Sequence, residues 1–151
     1  MPEPPVEVLL VEDNPNDVEL TLHAFRKNNF TDRIQVARDG AEALDFLFCA
    51  GAHAGRSLEG GPRLILLDLK LPKVDGLEVM RRVKSDPRTR AIPIVVLTSS
   101  GQERDIADSY RLGANSYLVK PVDFTQLKDA VREICAYWLL LNRPPGLRRA
   151  A

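Results

Sequence analysis

Leu64-Ile65-Leu66-Leu67-Asp68-Leu69-Lys70-Leu71-Pro72 is the stretch from which the rest of the chain can be read. Four consecutive apolar residues, with no polar alternation, suit a strand covered on both faces, as in a parallel sheet, and the run stops abruptly at a carboxylate. After it, Asp75-Gly76 opens a helix carrying Leu77, Met80 and Val83, which ends before Asp86-Pro87. The same unit recurs outward in both directions. Upstream, Val6–Val11 reads as a strand, and Asn14-Pro15 starts a helix with Val18, Leu22 and Phe25 on one side. Arg33–Val36 is a short second strand, and Asp39-Gly40 turns the chain into a helix over Ala41–Phe48, whose core stripe is Ala43, Leu44 and Leu47. Downstream, Pro93–Leu97 forms a strand ending at Thr98, and a helix from Glu103 to Leu112 stops at Gly113. Ser116–Val119 is the fifth strand, closed by Lys120-Pro121. In the last helix Phe124, Leu127, Val131, Ile134, Trp138 and Leu141 recur at threes and fours, until Arg143-Pro144-Pro145-Gly146 ends it. Cys49–Arg63, with four glycines and a proline, reads as a surface loop.

Five strands, each followed by a helix, imply an α/β fold: a doubly wound parallel sheet with helices on both faces. At 151 residues, 44% apolar and 28% charged, the chain has the size and composition of one globular domain. The expected folded domain is 6–142, with flexible segments at 1–5 and 143–151. Lys+Arg and Asp+Glu are equal at 21 each, which argues against a nucleic-acid partner, since that would call for a clustered basic excess. The longest strongly apolar stretch, Ile134–Leu141, is far short of the ~20 residues of a membrane span. MPEPPVEV lacks the basic-then-apolar pattern of a signal peptide, and two scattered cysteines make neither a disulfide framework nor a zinc site. A cytoplasmic location is expected. His23 and His53 have no companion ligand and are expected to face solvent; Cys49 and Cys135 read as a loop-edge thiol and a core residue.

Open parallel sheets bind ligands beyond the carboxyl ends of their strands, where the strand order reverses. The residues that follow the strands here are Glu12 and Asp13, then Asp68, then Thr98 and Ser99, then Lys120. Any one of them alone is an ordinary cap, turn or surface residue. Together they place three carboxylates, two hydroxyls and one ammonium on one edge of the sheet. Crowded carboxylates repel one another unless a cation is present, and a hard divalent ion such as Mg²⁺ suits such oxygen donors. With the charge neutralised, a carboxylate can attack a phosphoryl group to form an acyl phosphate, while a lysine and a threonine hydroxyl hold the phosphoryl oxygens.

Over nearly the whole chain, from about Val6 to Leu141, this ordered set resembles the receiver domains of two-component response regulators. The motifs are Val11-Glu12-Asp13-Asn14, Leu67-Asp68-Leu69-Lys70-Leu71-Pro72 with Asp75-Gly76, Leu97-Thr98-Ser99-Ser100, and Tyr117-Leu118-Val119-Lys120-Pro121-Val122. The resemblance implies a CheY-like (βα)5 sheet in the order 2-1-3-4-5, with Asp68 as acceptor of a phosphoryl group from a sensor histidine kinase. It implies that Asp13, Asp68 and the backbone carbonyl of Lys70 ligate Mg²⁺, with Glu12 holding it through water. Thr98 would be the switch hydroxyl, drawn toward the phosphoryl group, Lys120 its cation and Tyr117 the aromatic that turns inward with Thr98. The Lys120-Pro121 bond would be cis. The acidic pair is Glu-Asp where Asp-Asp is commoner. Lys70 and Ser100 stand where side chains tune the lifetime of the phosphoryl group, and a lysine there offers no general base.

Asn14-Pro15-Asn16-Asp17, the long loop before the third strand, Asp105-Ile106 with Ser109-Tyr110, Pro121-Val122-Asp123-Phe124 and Tyr137-Trp138-Leu139 further resemble the stand-alone receivers that partner bacteriophytochromes. That likeness implies a light-sensing kinase as partner and a homodimer through helix 4, strand 5 and helix 5. Ala136–Leu141 is apolar almost all round, so Tyr137, Leu140 and part of Leu139 would face outward, with Tyr110 as a further interface residue. The expected function is signalling by protein contact without enzymatic turnover; the alternative is a relay that passes phosphate to a histidine phosphotransfer protein. An aspartyl-phosphate phosphatase needs a second Asp two residues after the nucleophile, where Lys70 stands. A flavodoxin needs a first loop rich in hydroxyl and N–H donors, where Glu12-Asp13-Asn14-Pro15 stands. The glycine motifs of dinucleotide and P-loop sites are absent.

Overall fold

A computed structural model describes residues 6–30, 33–56 and 61–145. The expected flexible segment 1–5 and the tail beyond residue 145 lie outside the described residues. The elements run β1 (Val8–Val11), α1 (Pro15–Lys27), β2 (Ile34–Ala37), α2 (Gly40–Leu47), β3 (Leu64–Leu67), α3 (Gly76–Ser85), β4 (Ile94–Thr98), α4 (Glu103–Arg111), β5 (Ser116–Val119) and α5 (Phe124–Ile134). The strands form one parallel sheet in the order β2-β1-β3-β4-β5, as expected.

The apolar runs are buried on both faces because the pleat sends alternate residues to opposite sides. Leu9, Val11, Ile65, Leu67, Ile94 and Val96 join α2 and α3 in one core layer, around Phe46, Met80 and Val83. Val8, Leu10, Leu64, Leu66, Val95 and Leu97 join α1 and α5 in the other, around Phe25, Leu127 and Val131. Each such side chain taken out of water contributes about 1.5–3 kcal/mol, so the sheet is a rigid platform for whatever its strand ends carry.

Four helices begin on a side-chain cap: Asn14, Asp39, Asp75 and Asp123 each accept from backbone N–H groups of the first turn. Helix α4 differs, since Gln102 makes no such bond and Ser109 is its only buried residue. Its far end is closed as expected: Gly113, at φ 111°, donates to the Tyr110 carbonyl while Ala114 donates to that of Ser109.

The last helix departs from its expected stripe. Beyond Ile134 the chain continues as a π-helical segment, Cys135–Leu141. The wider turn shifts the register, so the next buried residues are Cys135 and Leu139, five beyond Ile134, while Leu141 is 69% exposed and Trp138 only partly covered. Leu139, expected to lie partly outward, is a core residue. Leu139→Ala should therefore destabilise by about 2–5 kcal/mol, and Leu141→Ala by no more than about 0.5 kcal/mol, as read by denaturant unfolding; equal costs would restore the uninterrupted stripe.

Neither histidine is simply solvated. His23 stacks on Phe124 at 4.9 Å between ring centroids, and His53 meets Phe46 edge-on at 5.1 Å. Their flat, partly apolar rings cover neighbouring aromatic surface. His53 belongs to a 3₁₀ turn, Gly51–His53, within the long loop. The guanidinium of Arg56 lies 3.6 Å from the centre of the same Phe46 ring. Burial pushes the Cys135 thiol up to about 12, which makes it an inert core residue.

Candidate phosphoacceptor and metal site

The register of the sheet assembles the site. Val11 is paired with Leu67, and the Asp68 N–H donates to the Val11 carbonyl at 3.0 Å, so Glu12 and Asp68 leave the sheet side by side. Thr98 is paired with Val119, and the Lys120 N–H donates to the Thr98 carbonyl at 2.7 Å. This edge lies beside β1 and β3, where the strand order reverses. The close packing of α3 fixes the backbone of Asp68: a Cβ on Gly76 would stand 2.4 Å from the Asp68 carbonyl oxygen.

Asp68 is buried, and its two oxygens have different company. Oδ1 accepts from the Leu69 N–H at 2.7 Å, the Thr98 hydroxyl at 2.7 Å and, at 3.4 Å, the Lys70 N–H. Oδ2 has the Lys120 ammonium at 3.4 Å. That ammonium is 2.7 Å from Glu12 Oε1 and 3.0 Å from Asp17 Oδ2. Glu12 Oε2 accepts from the Asn14 N–H at 3.2 Å. Burial pushes the Glu12 carboxyl up to about 7, against the pull of the Lys120 hydrogen bond, and the charge of Asp68 adds to the rise. Burial alone would lower Lys120, but its hydrogen bonds to Glu12 and Asp17 and the charges of Asp68 and Glu12 hold it above its ordinary value.

Glu12, Asp13 and Asp68 each offer a carboxylate oxygen within 4.8 Å of the others. Hard anionic oxygens at that spacing, two of them on buried residues, are suited to a divalent cation, so the donor set fits the metal that the resemblance implies. A cleft of about 420 Å³ opens beside it, lined by Asp13, Leu69, Lys70, Pro72, Asp75 and Asp105 among others.

The expected site residues Glu12, Asp13, Asp68, Lys70, Thr98 and Lys120 thus meet at one edge. Thr98 is fully buried and its hydroxyl already engages the phosphoacceptor candidate, where a hydroxyl still to be drawn inward was expected. Tyr117 donates to the Ser100 carbonyl at 2.8 Å and packs against a core layer. The Ser100 hydroxyl in turn donates to Asp105 at 2.5 Å, tying the β4–α4 loop to the first turn of α4. The Lys120–Pro121 bond is trans, not cis as the resemblance implied; trans is the lower form of an X–Pro bond by about 0.5–1 kcal/mol. Tyr110, Tyr137 and Leu140 are 50%, 51% and 68% exposed and lie apart from the strand-end cluster. Sequence reasoning missed two participants. Asp17 reaches Lys120, and Asp105 lines the cleft; the available signal for each was an acidic residue in the first turn of a helix that starts at a strand end.

Residues 8–132 match the response regulator receiver domain. The chain belongs to this family of phosphoacceptor domains of two-component signalling, which are not turnover enzymes in the ordinary sense. It is 50% identical over 144 residues to the probable methanogenesis regulatory protein FilR2 of Methanothrix harundinacea, covering 95% of this chain and 90% of that one. Among solved structures it is similar to the phosphorylated cyanobacterial phytochrome response regulator RcpA (41% identity, TM-score 0.85, 92% of this chain and 97% of that one). It is also similar to the bacteriophytochrome response regulator AtBRR (51%, 0.73, 94% and 100%) and to the Mn²⁺-bound form of Rcp1 (38%, 0.83, 93% and 99%). No helix among the described residues is long and apolar enough to cross a membrane.

Proposed function

We propose that this receiver takes a phosphoryl group on Asp68 from the phosphohistidine of a sensor kinase of the bacteriophytochrome class, with Mg²⁺ at Glu12, Asp13, Asp68 and the Lys70 carbonyl. The observation that carries this reading is the unequal company of the two Asp68 oxygens. Oδ1 is occupied by strong donors, which leaves Oδ2 with lone pairs for attack on phosphorus. As the Oδ2–P bond forms, the P–N bond breaks and its electron pair stays with the imidazole of the kinase. The product is an acyl phosphate, one of whose oxygens Lys120 is placed to hold, while the Thr98 hydroxyl would turn from Oδ1 to donate to another. The bound ion would neutralise the crowded carboxylates and the charge developing on the phosphoryl oxygens. The names of the RcpA and AtBRR neighbours favour a phytochrome kinase as donor. Incubation with acetyl phosphate should add one phosphoryl group to the intact mass when Mg²⁺ is present and none in EDTA. No gain in either would remove the reading.

Output passes through protein contact, and we place a homodimer contact on the face of α4, β5 and the last helix. Tyr110, Val119, Tyr137, Leu140 and Leu141 are half or more exposed there, an excess of apolar surface of the kind that marks interfaces. The double change Tyr137→Ser, Leu140→Ser should halve the mass seen by analytical ultracentrifugation. An unchanged mass would move the interface elsewhere.

A further inference from the structure

Lys120 is held by a carboxylate that the phosphoacceptor chemistry does not require. An ammonium has three N–H donors, and here they face three acceptors: Glu12 at 2.7 Å, Asp17 at 3.0 Å and Asp68 at 3.4 Å. The weakest contact is the one to the reacting residue. Asp17 comes from α1, not from a strand end, and Asn14 and Pro15 set its place, because the Asp17 N–H donates to Asn14 Oδ1 at 3.1 Å. An Asp in the first turn of a helix usually just complements the helix dipole. This one carries a second contact, across the fold, to a lysine that is only 12% exposed at its side chain.

We propose that Asp17 is a positioning residue for phosphoryl transfer, tethering the Lys120 ammonium beside Asp68. The inference rests on the reading of Asp68 as phosphoacceptor. Glu12 belongs both to the oxygen cluster that fits a divalent ion and to the Lys120 pair. Whatever share of Glu12 goes to the cation is lost to the lysine. A lysine side chain is a flexible four-carbon stem, and without a second anchor its ammonium would leave the place where a phosphoryl oxygen must find it. Asp17, outside the oxygen cluster, supplies that anchor. The third N–H, now 3.4 Å from Asp68, is then the one free to turn to the phosphoryl group.

The test is a double-mutant cycle on Mg²⁺-dependent phosphorylation by acetyl phosphate, followed by intact mass. Asp17→Ala should slow the wild-type reaction about tenfold, the lower end for loss of an outer-shell partner, and Asp17→Glu should recover most of the rate. In a Lys120→Met background, Asp17→Ala should change nothing further. With Mg²⁺ present but no phosphodonor, so that the cation competes for Glu12, the ¹⁵N-detected ammonium signal of Lys120 should be sharp in wild type and exchange-broadened in Asp17→Ala. A wild-type or faster rate in Asp17→Ala, an equal slowing in both backgrounds, or an unaltered ammonium signal would each overturn the tether. A wild type that takes up no phosphoryl group would overturn the phosphoacceptor reading itself, and the inference with it.

Discussion

Asp68→Asn is expected to abolish phosphoryl uptake and, in metal-free buffer, to raise stability. The two effects have one cause. The amide keeps an oxygen for the Leu69 N–H and the Thr98 hydroxyl, so the local hydrogen bonds survive, but it has no anionic oxygen with which to attack phosphorus. It also removes one of three carboxylates that stand within 4.8 Å of one another, and with it part of the repulsion that helps hold the Glu12 carboxyl above its ordinary value. Lys120 loses only its longest contact. Relief of about 1 kcal/mol would lift the thermal midpoint by roughly 2–4 °C in a chain of this size. Added Mg²⁺ should stabilise the wild type and the variant much less. Phosphoryl uptake by the variant would move the acceptor elsewhere; a large fall in metal-free stability would mean that the Asp68 charge is a net support of the fold.

Gly76→Ala should damage fold and chemistry together. The new methyl would lie 2.4 Å from the Asp68 carbonyl oxygen and 2.7 Å from Leu69 Cα, both backbone atoms that cannot rotate away. Either α3 withdraws from the sheet or the chain at Asp68–Leu69 shifts. Overpacking of this kind costs about 3 kcal/mol, and a displacement near 1 Å at the reacting group costs on the order of 100-fold in rate. Gly55→Ala is the control, since nothing lies within 4 Å of its added methyl. Denaturant unfolding and the phosphorylation rate, measured on both variants, would check this. A Gly76→Ala protein with native stability and rate would show that the approach of α3 is not tight.

The parallel sheet and the strand-end cluster were legible because both follow from short-range rules. Apolar runs such as Leu64–Leu67, short and bounded by turn residues, suit strands of a sheet covered on both faces, and a residue that follows such a strand emerges at its carboxyl edge. Strand starts were less legible: Val6 and Glu7 are apolar and polar neighbours of a strand that begins at Val8, where the pairing with Ile34 begins. The π-helical turn after Ile134 was hidden because Trp138 and Leu141 continue the α-helical stripe as well as any residues could, and packing against the sheet selects Leu139 instead. Asp17 was hidden for another reason. Its partner is 103 residues away, and nothing local distinguishes an Asp that reaches across the fold from one that decorates a helix start.

The weak seating of α4 bears on how the domain can pass a message. With no side-chain cap at Gln102 and only Ser109 buried, α4 is held mainly by its closing turn at Gly113 and by the Ser100–Asp105 hydrogen bond at its entrance. Its amides should be the first among the five helices to exchange with deuterated solvent, well before those of α1 and α5. A single hydrogen bond is worth about 1 kcal/mol, a small sum against the anchoring of any other helix and a large one against that of α4. Phosphorylation at Asp68, in the role proposed for it, would therefore not need to disturb the core to be felt at the surface. It has only to loosen or tighten the doorway of the one helix that the rest of the molecule scarcely grips.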